Sequence, residues 1–477
     1  MKKIIFLLAL VMILSCEKKR STSSHNSKIT EITNYLDSLK DFSGAVLIVK
    51  NDSILLQKAY GYAHMGHKIV NNVDTKFNQG SIGKSFTAVA ILQLIQQNKL
   101  KLTDNVGAFI PEYPNKIVRD SVTIAYLLTH TSGLPHFFAR ETFLKSSKDL
   151  YRTMNDLNPL YENEPMESKP GEIFTYRNTN YVILGRIIEK ISGLEYDEYL
   201  EKNIYALASM KNTGNFDLDH PIDNAAEGYT TSEVYPDKLK INIHTYPSKG
   251  NAAGGGYTTL NDLYHFAQAI QNNKLLNSEY TTLFTTPLSK NNHYGYGMQF
   301  PNPEEGTIFG HSGGHFGVGS EWRVYTKEGY TVILLTNKDT DKGFLDARFS
   351  IQKILSGTTP SIEKHFNTKA VFDEYYKNGF EVGVNKINSA ENELDEYTFI
   401  VNGYNAISAK KLASAIEIFR LGIIAFPNSY NMYDSLGEAY LENGQMDLAV
   451  TNYKKSLELN PENENAKEKL IELSLNK

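Results

Sequence analysis

Between Phe86 and Ile95 only Thr87 and Gln93 interrupt a run of small and aliphatic residues, and the run is entered through Gly80-Ser81-Ile82-Gly83-Lys84-Ser85. Its length suits a helix, and a helix apolar on all sides has to lie inside a core. Any fold for this chain must therefore wrap other layers around this element. The helix is expected to start near Ser81, with Ser81 and Lys84 one turn apart on the same side. A buried helix N-terminus carries unpaired N–H groups and about half a positive charge. Desolvation and the positive helix end both disfavour an ammonium, so a neutral Lys84 amine can take the Ser81 proton and make a nucleophile.

Spacing alone is weak support. The same S-x-x-K triplet recurs at Ser15/Lys18, Ser350/Lys353, Ser361/Lys364, Ser408/Lys411 and Ser474/Lys477, and only Ser81 opens a long apolar helix. A helix cap beside a solvated lysine is the competing reading. Partners elsewhere in the chain have to decide between them.

At 477 residues the chain exceeds one ordinary core, and two domains are expected. Its 49 basic and 54 acidic residues give a net charge of -5 without a basic stripe, which argues against nucleic acid as a partner. Lys2 and Lys3 precede an apolar run from Ile4 to Leu14, then Ser15 and Cys16, the only cysteine. This is the pattern of a secretory signal, too short to span a bilayer comfortably. The placement of Cys16 resembles a bacterial lipobox, in which the cysteine is lipidated and becomes the mature N-terminus. With no second cysteine there is no internal disulfide. Residues 17–28, rich in Lys, Ser and Asn, read as a flexible tether.

Along the chain, Ile29, Ile32, Leu36 and Leu39 share helical spacing. Two apolar runs about Asn51-Asp52-Ser53, and two more about Thr326 to Gly329, read as hairpins. Helices and loops dominate between Ser81 and about Asn291, and a helix from Phe344 to Leu355 precedes Gly357 and Pro360. These elements suit one antiparallel sheet with terminal helices on its face and a separate helical lobe. The catalytic cleft is expected between the sheet and that lobe.

Beyond Pro360 a 34-residue period appears, pairing Gly403 with Gly437, Ala415 with Ala449, Phe419 with Tyr453 and Pro427 with Pro461. This resembles the tetratricopeptide pattern. Two repeats are visible. Because about three units are needed for stability, residues 366–380 are expected to supply a divergent helix and residues 465–473 a cap.

Two later motifs join Ser81 and Lys84. Tyr176-Arg177-Asn178 is a Y-x-N triplet that also occurs at Tyr113, Tyr161 and Tyr376, but only Tyr176 lies at a turn before a helix. Its phenol can relay a proton, and the Asn178 amide can donate to a substrate carbonyl and position Lys84. His311-Ser312-Gly313-Gly314 falls where a strand should run along the cleft. Its glycines permit close approach of a substrate backbone, and the Gly314 and Ser81 N–H groups can form an oxyanion hole. Metal sites are not expected. The pairs His64/His67 and His311/His315 lack the Glu of a zincin pattern, and the Gly254-Gly255-Gly256 loop lacks the Lys-Ser/Thr of a phosphate cradle.

S-x-x-K, then Y-x-N, then a late [HK]-x-G resembles the serine β-lactamase and penicillin-binding-protein superfamily over roughly residues 29–356. The branch it is most similar to holds class C β-lactamases, D-alanyl-D-alanine carboxypeptidases, D-aminopeptidases and related esterases. The stretches Phe42-Ser-Gly-Ala-Val, Thr129-His-Thr-Ser-Gly-Leu-Pro135 and Ala252-Ala-Gly-Gly-Gly-Tyr257 also resemble that branch. The resemblance implies an α+β fold in which Ser81 is the acylated nucleophile, Lys84 and Tyr176 share the proton work, and Asn178 orients. His311, with Ser312, Gly313 and Gly314, is implied to bind or polarise substrate. His311 departs from the lysine usual in the third motif, and it is less basic, which favours ester or uncharged amide substrates. Arg177 stands where a small residue is often found.

The organisation expected is a lipoprotein signal at 1–15, a tether at 16–28, a hydrolase domain at 29–357, a linker or divergent helical repeat at 358–394, and tetratricopeptide repeats with a capping helix at 395–477. No cofactor is expected. The expected partners are a small-molecule or peptide substrate, a protein docked on the repeats, and a membrane through the Cys16 lipid, with the chain exported to face the periplasm. The rival expectation is a binding protein in which a degenerate hydrolase fold merely carries the repeats.

Overall fold

The computed structural model describes residues 27–475 except 140, 232–237, 290–292, 342 and 391–392. The expected signal sequence, Cys16 and most of the tether lie outside the described residues. The chain divides into two compact units, one within Met1–Thr230 and Ile241–Leu355, the other within Thr231–Lys240 and Ser356–Lys477.

The first unit is built on a five-stranded antiparallel sheet. Its strands are β1 (Gly44–Lys50), β2 (Ser53–Tyr60), β3 (Ile308–His315), β4 (Val318–Tyr325) and β5 (Tyr330–Thr336), in the order β2-β1-β5-β4-β3. Asn51 and Asp52, both at positive φ, make the tight turn between β1 and β2. In β1, successive side chains enter two different cores. Ala45, Leu47 and Val49 pack in a cluster with Phe86, Phe266 and Trp322, whereas Val46 and Ile48 pack with Ile32, Leu36, Phe344 and Ile351. With both faces covered, the inner strands read as nearly unbroken apolar runs rather than alternating ones. Helices α1 (27–38) and α5 (Phe344–Ser356) supply the second cluster, as the terminal pattern leads one to expect.

On the other face lies α2 (Gly83–Gln96), in which every residue from Gly83 to Ile95 is buried. The ring of Phe86 sits edge-on to Tyr205 and Phe266, with centroids 5.5 and 4.7 Å away. Around it pack α3 (Asn178–Ser192) and α4 (Leu260–Gln271). The 3₁₀ turn Gly80–Ile82 leads directly into α2 and carries Ser81.

The second unit contains α6 (Pro360–Asn378), α7 (Phe380–Asn388), α8 (Glu396–Ser408), α9 (Leu412–Ala425), α10 (Tyr430–Glu442), α11 (Met446–Leu459) and α12 (Glu464–Leu475). The 34-residue period has a packing cause. A Cβ on Gly403 would lie within 2.3 Å of the Phe419 ring, and one on Gly437 within 3.0 Å of the Tyr453 ring. In both helix pairs a missing side chain on the first helix seats an aromatic from the second. The Tyr404 hydroxyl donates to Glu438 Oε2 at 2.8 Å, tying equivalent helices one period apart. Residues 360–388 form two helices, and Val371, Phe372 and Tyr375 pack with Phe399 and Phe419. Among the described residues no helix is long and apolar enough to cross a membrane.

Candidate active site

Lys84 lies in the first turn of α2 and is fully buried. Its Nζ is 2.6 Å from the Ala253 carbonyl, 2.7 Å from Asn178 Oδ1 and 3.0 Å from Ser81 Oγ. Burial holds its pKa well below the ordinary lysine value. A neutral amine has two N–H donors and one lone pair. The two shorter contacts go to oxygens that can only accept, so the donors are spent on Ala253 and Asn178 and the lone pair is left for Ser81. In that arrangement the Ser81 hydroxyl donates to Lys84.

Tyr176 completes the chain of protons. Burial pushes its phenol up from the usual value, and a hydrogen bond to Ser81 opposes that shift only in part. The phenol is therefore protonated at neutral pH beside Ser81, and its ring lies 5.0 Å from Lys84 Nζ. Asn178, the first residue of α3, reaches Lys84 from the opposite wall. Arg177 turns away. Its guanidinium binds Glu167 Oε2 through Nε at 2.8 Å and Nη2 at 2.6 Å.

The third motif lies on β3, an edge strand of the sheet. Gly310 exchanges backbone hydrogen bonds with Gln299 at 2.8 and 3.2 Å, so its N–H and carbonyl point outward from the sheet. Peptide groups two residues apart in a strand point the same way, so the N–H groups of Ser312 and Gly314 also face the open edge. Ser312 N–H is taken by Gln299 Oε1 at 3.1 Å, and Gly314 is the next in line. A Cβ on Gly313 would stand 2.5 Å from the Ser81 nitrogen, which requires glycine there and brings the two main chains together.

Two expected contacts are not found. His311 does not face the pocket: it is fully buried, its Nδ1–H donates to the Ser312 carbonyl at 2.7 Å, and its Nε2 accepts from the Tyr294 hydroxyl at 3.0 Å. Burial holds its pKa well below the usual value, against the opposing bond to the Ser312 carbonyl, so the ring is neutral. Ser312 points to the other side of the strand, where its hydroxyl joins Gln299 Oε1 at 3.0 Å. Both residues tie the strand to its neighbours, and neither is among the residues lining the pocket in front of Ser81.

In front of Ser81 opens a pocket of about 320 Å³, walled by Phe138, Phe143, Leu144, Tyr246 and Phe316, with Asn178 and Gly314 at its rim. Among its described lining residues there is no carboxylate, and Lys249 is paired with Asp197 at 2.7 Å. Burial lowers His136 to about 4 and also lowers His315, so neither carries charge at neutral pH. Its described lining residues offer apolar surface and no unpaired charge.

A beta-lactamase family model matches residues 32–355, well over half of the chain. The chain belongs to the beta-lactamase family. A tetratricopeptide repeat model matches residues 430–463. A penicillin-binding protein of Bacillus subtilis (strain 168) is 31% identical over 322 residues, 64% of this chain and 70% of the relative. Protein flp of Staphylococcus aureus (strain MW2) is 28% identical over 342 residues, 70% of this chain and 64% of the relative. The solved penicillin-binding protein of Bacillus halodurans superposes with a TM-score of 0.62 at 28% identity, covering 68% of this chain and 98% of that one.

In this beta-lactamase-family site, three participants escape a reading of the sequence. The Ala253 carbonyl, an acceptor for Lys84, belongs to a loop 169 residues away, and a main-chain oxygen has no residue signature. The only hint is the density of glycine after it, which lets the loop reach α2: Gly255 N–H donates to the Gly80 carbonyl at 3.1 Å. Tyr294 and Gln299, which hold His311 and Ser312, lie in an aromatic and glycine-rich segment whose only signal is its place just before the strand.

Proposed function

We propose that the chain is a serine hydrolase that acylates Ser81 with an ester or uncharged amide and releases the acyl group with water. The observation that carries this reading is the Lys84 amine, fully buried with its pKa held well below the ordinary lysine value and bonded to the Ala253 carbonyl, Asn178 Oδ1 and Ser81 Oγ. In acylation Lys84 takes the Ser81 proton as Oγ attacks the carbonyl carbon. The Ser81 and Gly314 N–H groups receive the oxyanion. Tyr176 gives its proton to the departing oxygen or nitrogen and takes back from Lys84 the one that came from Ser81, and the amide nitrogen of Asn178 holds the substrate carbonyl side. Water then attacks the acyl-enzyme through the same groups in reverse. The uncharged, aromatic-walled pocket supports a neutral substrate with an apolar acyl part, because a peptide carboxylate or ammonium buried there would find no partner.

The test is intact-mass spectrometry after incubation with a fluorophosphonate, with a neutral chromogenic ester and with a labelled penicillin. A fluorophosphonate adduct mapped to the peptide containing Ser81, with ester turnover, is the expected result. Penicillin labelling without ester turnover would move the substrate to the penicillin-recognising class. A folded protein that takes no adduct from any reagent would overturn the enzyme reading.

The same reading has the domain organisation set out from the sequence, with residues 29–357 carrying the chemistry and the repeats offering a face to a protein partner. It also has the chain exported and tethered through lipid on Cys16, supported by the basic, apolar and Ser15-Cys16 succession. Cys16→Ser is expected to move the protein from the membrane fraction to the soluble fraction. Retention in the membrane would refute the anchor.

A further inference from the structure

His130 lies under Tyr176 in a setting that the proton chain described above does not use. It ends the short helix Ile124–Leu128 at a φ of +59°, a left-handed conformation that costs any residue with a side chain more than it costs glycine. Its contacts account for that cost. The carbonyl of His130 accepts Thr175 N–H at 2.8 Å, and its Nδ1 accepts Arg177 N–H at 3.2 Å. Between those two anchors its ring lies 4.2 Å from the Tyr176 ring, tilted by 38°. One residue thus grips the chain immediately before Tyr176, the chain immediately after it, and the phenol ring itself.

The grip continues along both segments. Ser132 Oγ donates to Asn180 Oδ1 at 2.6 Å, and Thr179 Oγ1 donates to the Pro135 carbonyl at 2.6 Å. On its far side the His130 ring meets Tyr294, centroids 4.7 Å apart, and Tyr294 is the residue that holds His311. Since Nδ1 accepts, the ring proton is on Nε2, a buried nitrogen with no hydrogen-bond partner among the described residues. A histidine kept for packing alone would be an expensive choice here, because an apolar ring would leave no such nitrogen behind.

We propose that His130 is a positioning residue that fixes the Tyr176 phenol against Ser81. It acts through its Nδ1 acceptor and its ring face. The inference rests on the serine hydrolase reading, in which Tyr176 moves the proton.

The test uses the full chain and 4-methylumbelliferyl butyrate, a neutral ester. Displacing a catalytic group by about 1 Å costs about a hundredfold in rate, so His130→Ala is expected to lower kcat by about that factor and to leave KM unchanged. His130→Asn keeps an acceptor near the Nδ1 position and tolerates positive φ, so it is expected to recover about tenfold of that loss. In a Tyr176→Phe background the same His130 substitutions are expected to change kcat no further, since the group they position is gone. Should His130→Ala fail to fold, the asparagine variant carries the comparison. An equal loss in both backgrounds, or a loss confined to KM, would overturn the positioning role alone. An unchanged kcat in Tyr176→Phe itself would overturn the role of Tyr176, and this inference with it.

Discussion

Replacement of Ser81 by alanine is expected to abolish turnover, lowering kcat by about 10⁶-fold and removing the fluorophosphonate adduct altogether. Among the described residues Ser81 Oγ is the only nucleophile hydrogen-bonded to Lys84, because the other two contacts of that amine are a carbonyl and an amide oxygen. The fold should not notice. Alanine suits the 3₁₀ turn of Gly80–Ile82, and Lys84 keeps both acceptors for its N–H groups. A thermal melt matching the parent, together with zero adduct by mass spectrometry, is the expected pair of results. Residual labelling in the variant would mean that a different side chain is acylated.

Lys84→Met separates activity from stability. Removing the base is expected to slow ester hydrolysis at pH 7 by about 10²–10⁴-fold. Combined with Ser81→Ala it should add nothing, because the two residues act as one unit. Stability should respond differently with pH. Burial depresses the folded-state pKa of Lys84, while the unfolded chain titrates near about 10.4. Between those two values the unfolded state binds more protons, so the contribution of Lys84 to stability grows with pH. It is complete above the unfolded value and is lost as pH falls through the folded one. Methionine has no such slope. Denaturant melts of both proteins at pH 7 and pH 9.5 should therefore show the parent gaining on Lys84→Met as pH rises. A gap that stays constant would show that Lys84 is as protonated in the folded protein as in the unfolded one.

What can be read from the sequence follows the kind of contact involved. Ser81 and Lys84 are legible because a helix of fixed pitch brings them together, and the apolar run after them announces burial. Asn178 is legible through its Y-x-N triplet at a turn before a helix. The repeats are legible because Gly403 with Phe419, and Gly437 with Tyr453, record a packing contact within one helix pair. Contacts across long stretches of chain are another matter. His311 reads as a pocket residue until Tyr294 is seen to hold its Nε2, and nothing local to either residue announces the other. Ser312 lies away from the pocket lining for a simpler reason: neighbours in a strand face opposite sides, and its hydroxyl meets Gln299 on the other one. The charge of Arg177 is likewise explained only by Glu167, ten residues upstream on a turn of irregular shape.

The connectivity of the sheet has a consequence for the order in which it can be made. Strand β1 is bordered by β2, its immediate successor, and by β5, with Gly44 opposite Thr336. A chain emerging N-terminus first can close the β1–β2 hairpin at once, but the inner neighbour of β1 comes almost three hundred residues later. Until then an apolar strand from Ala45 to Val49 presents unpaired main-chain groups on one side, the state in which strands recruit wrong partners. Formation of such distant pairs is slow, since a long loop must close before any contact rewards it. The helical repeats, whose contacts join consecutive helices, carry no such delay. The sheet-bearing unit is thus the late-maturing half of the molecule, and any truncation ahead of residue 330 removes the central strand β5 and leaves β1 without its inner neighbour.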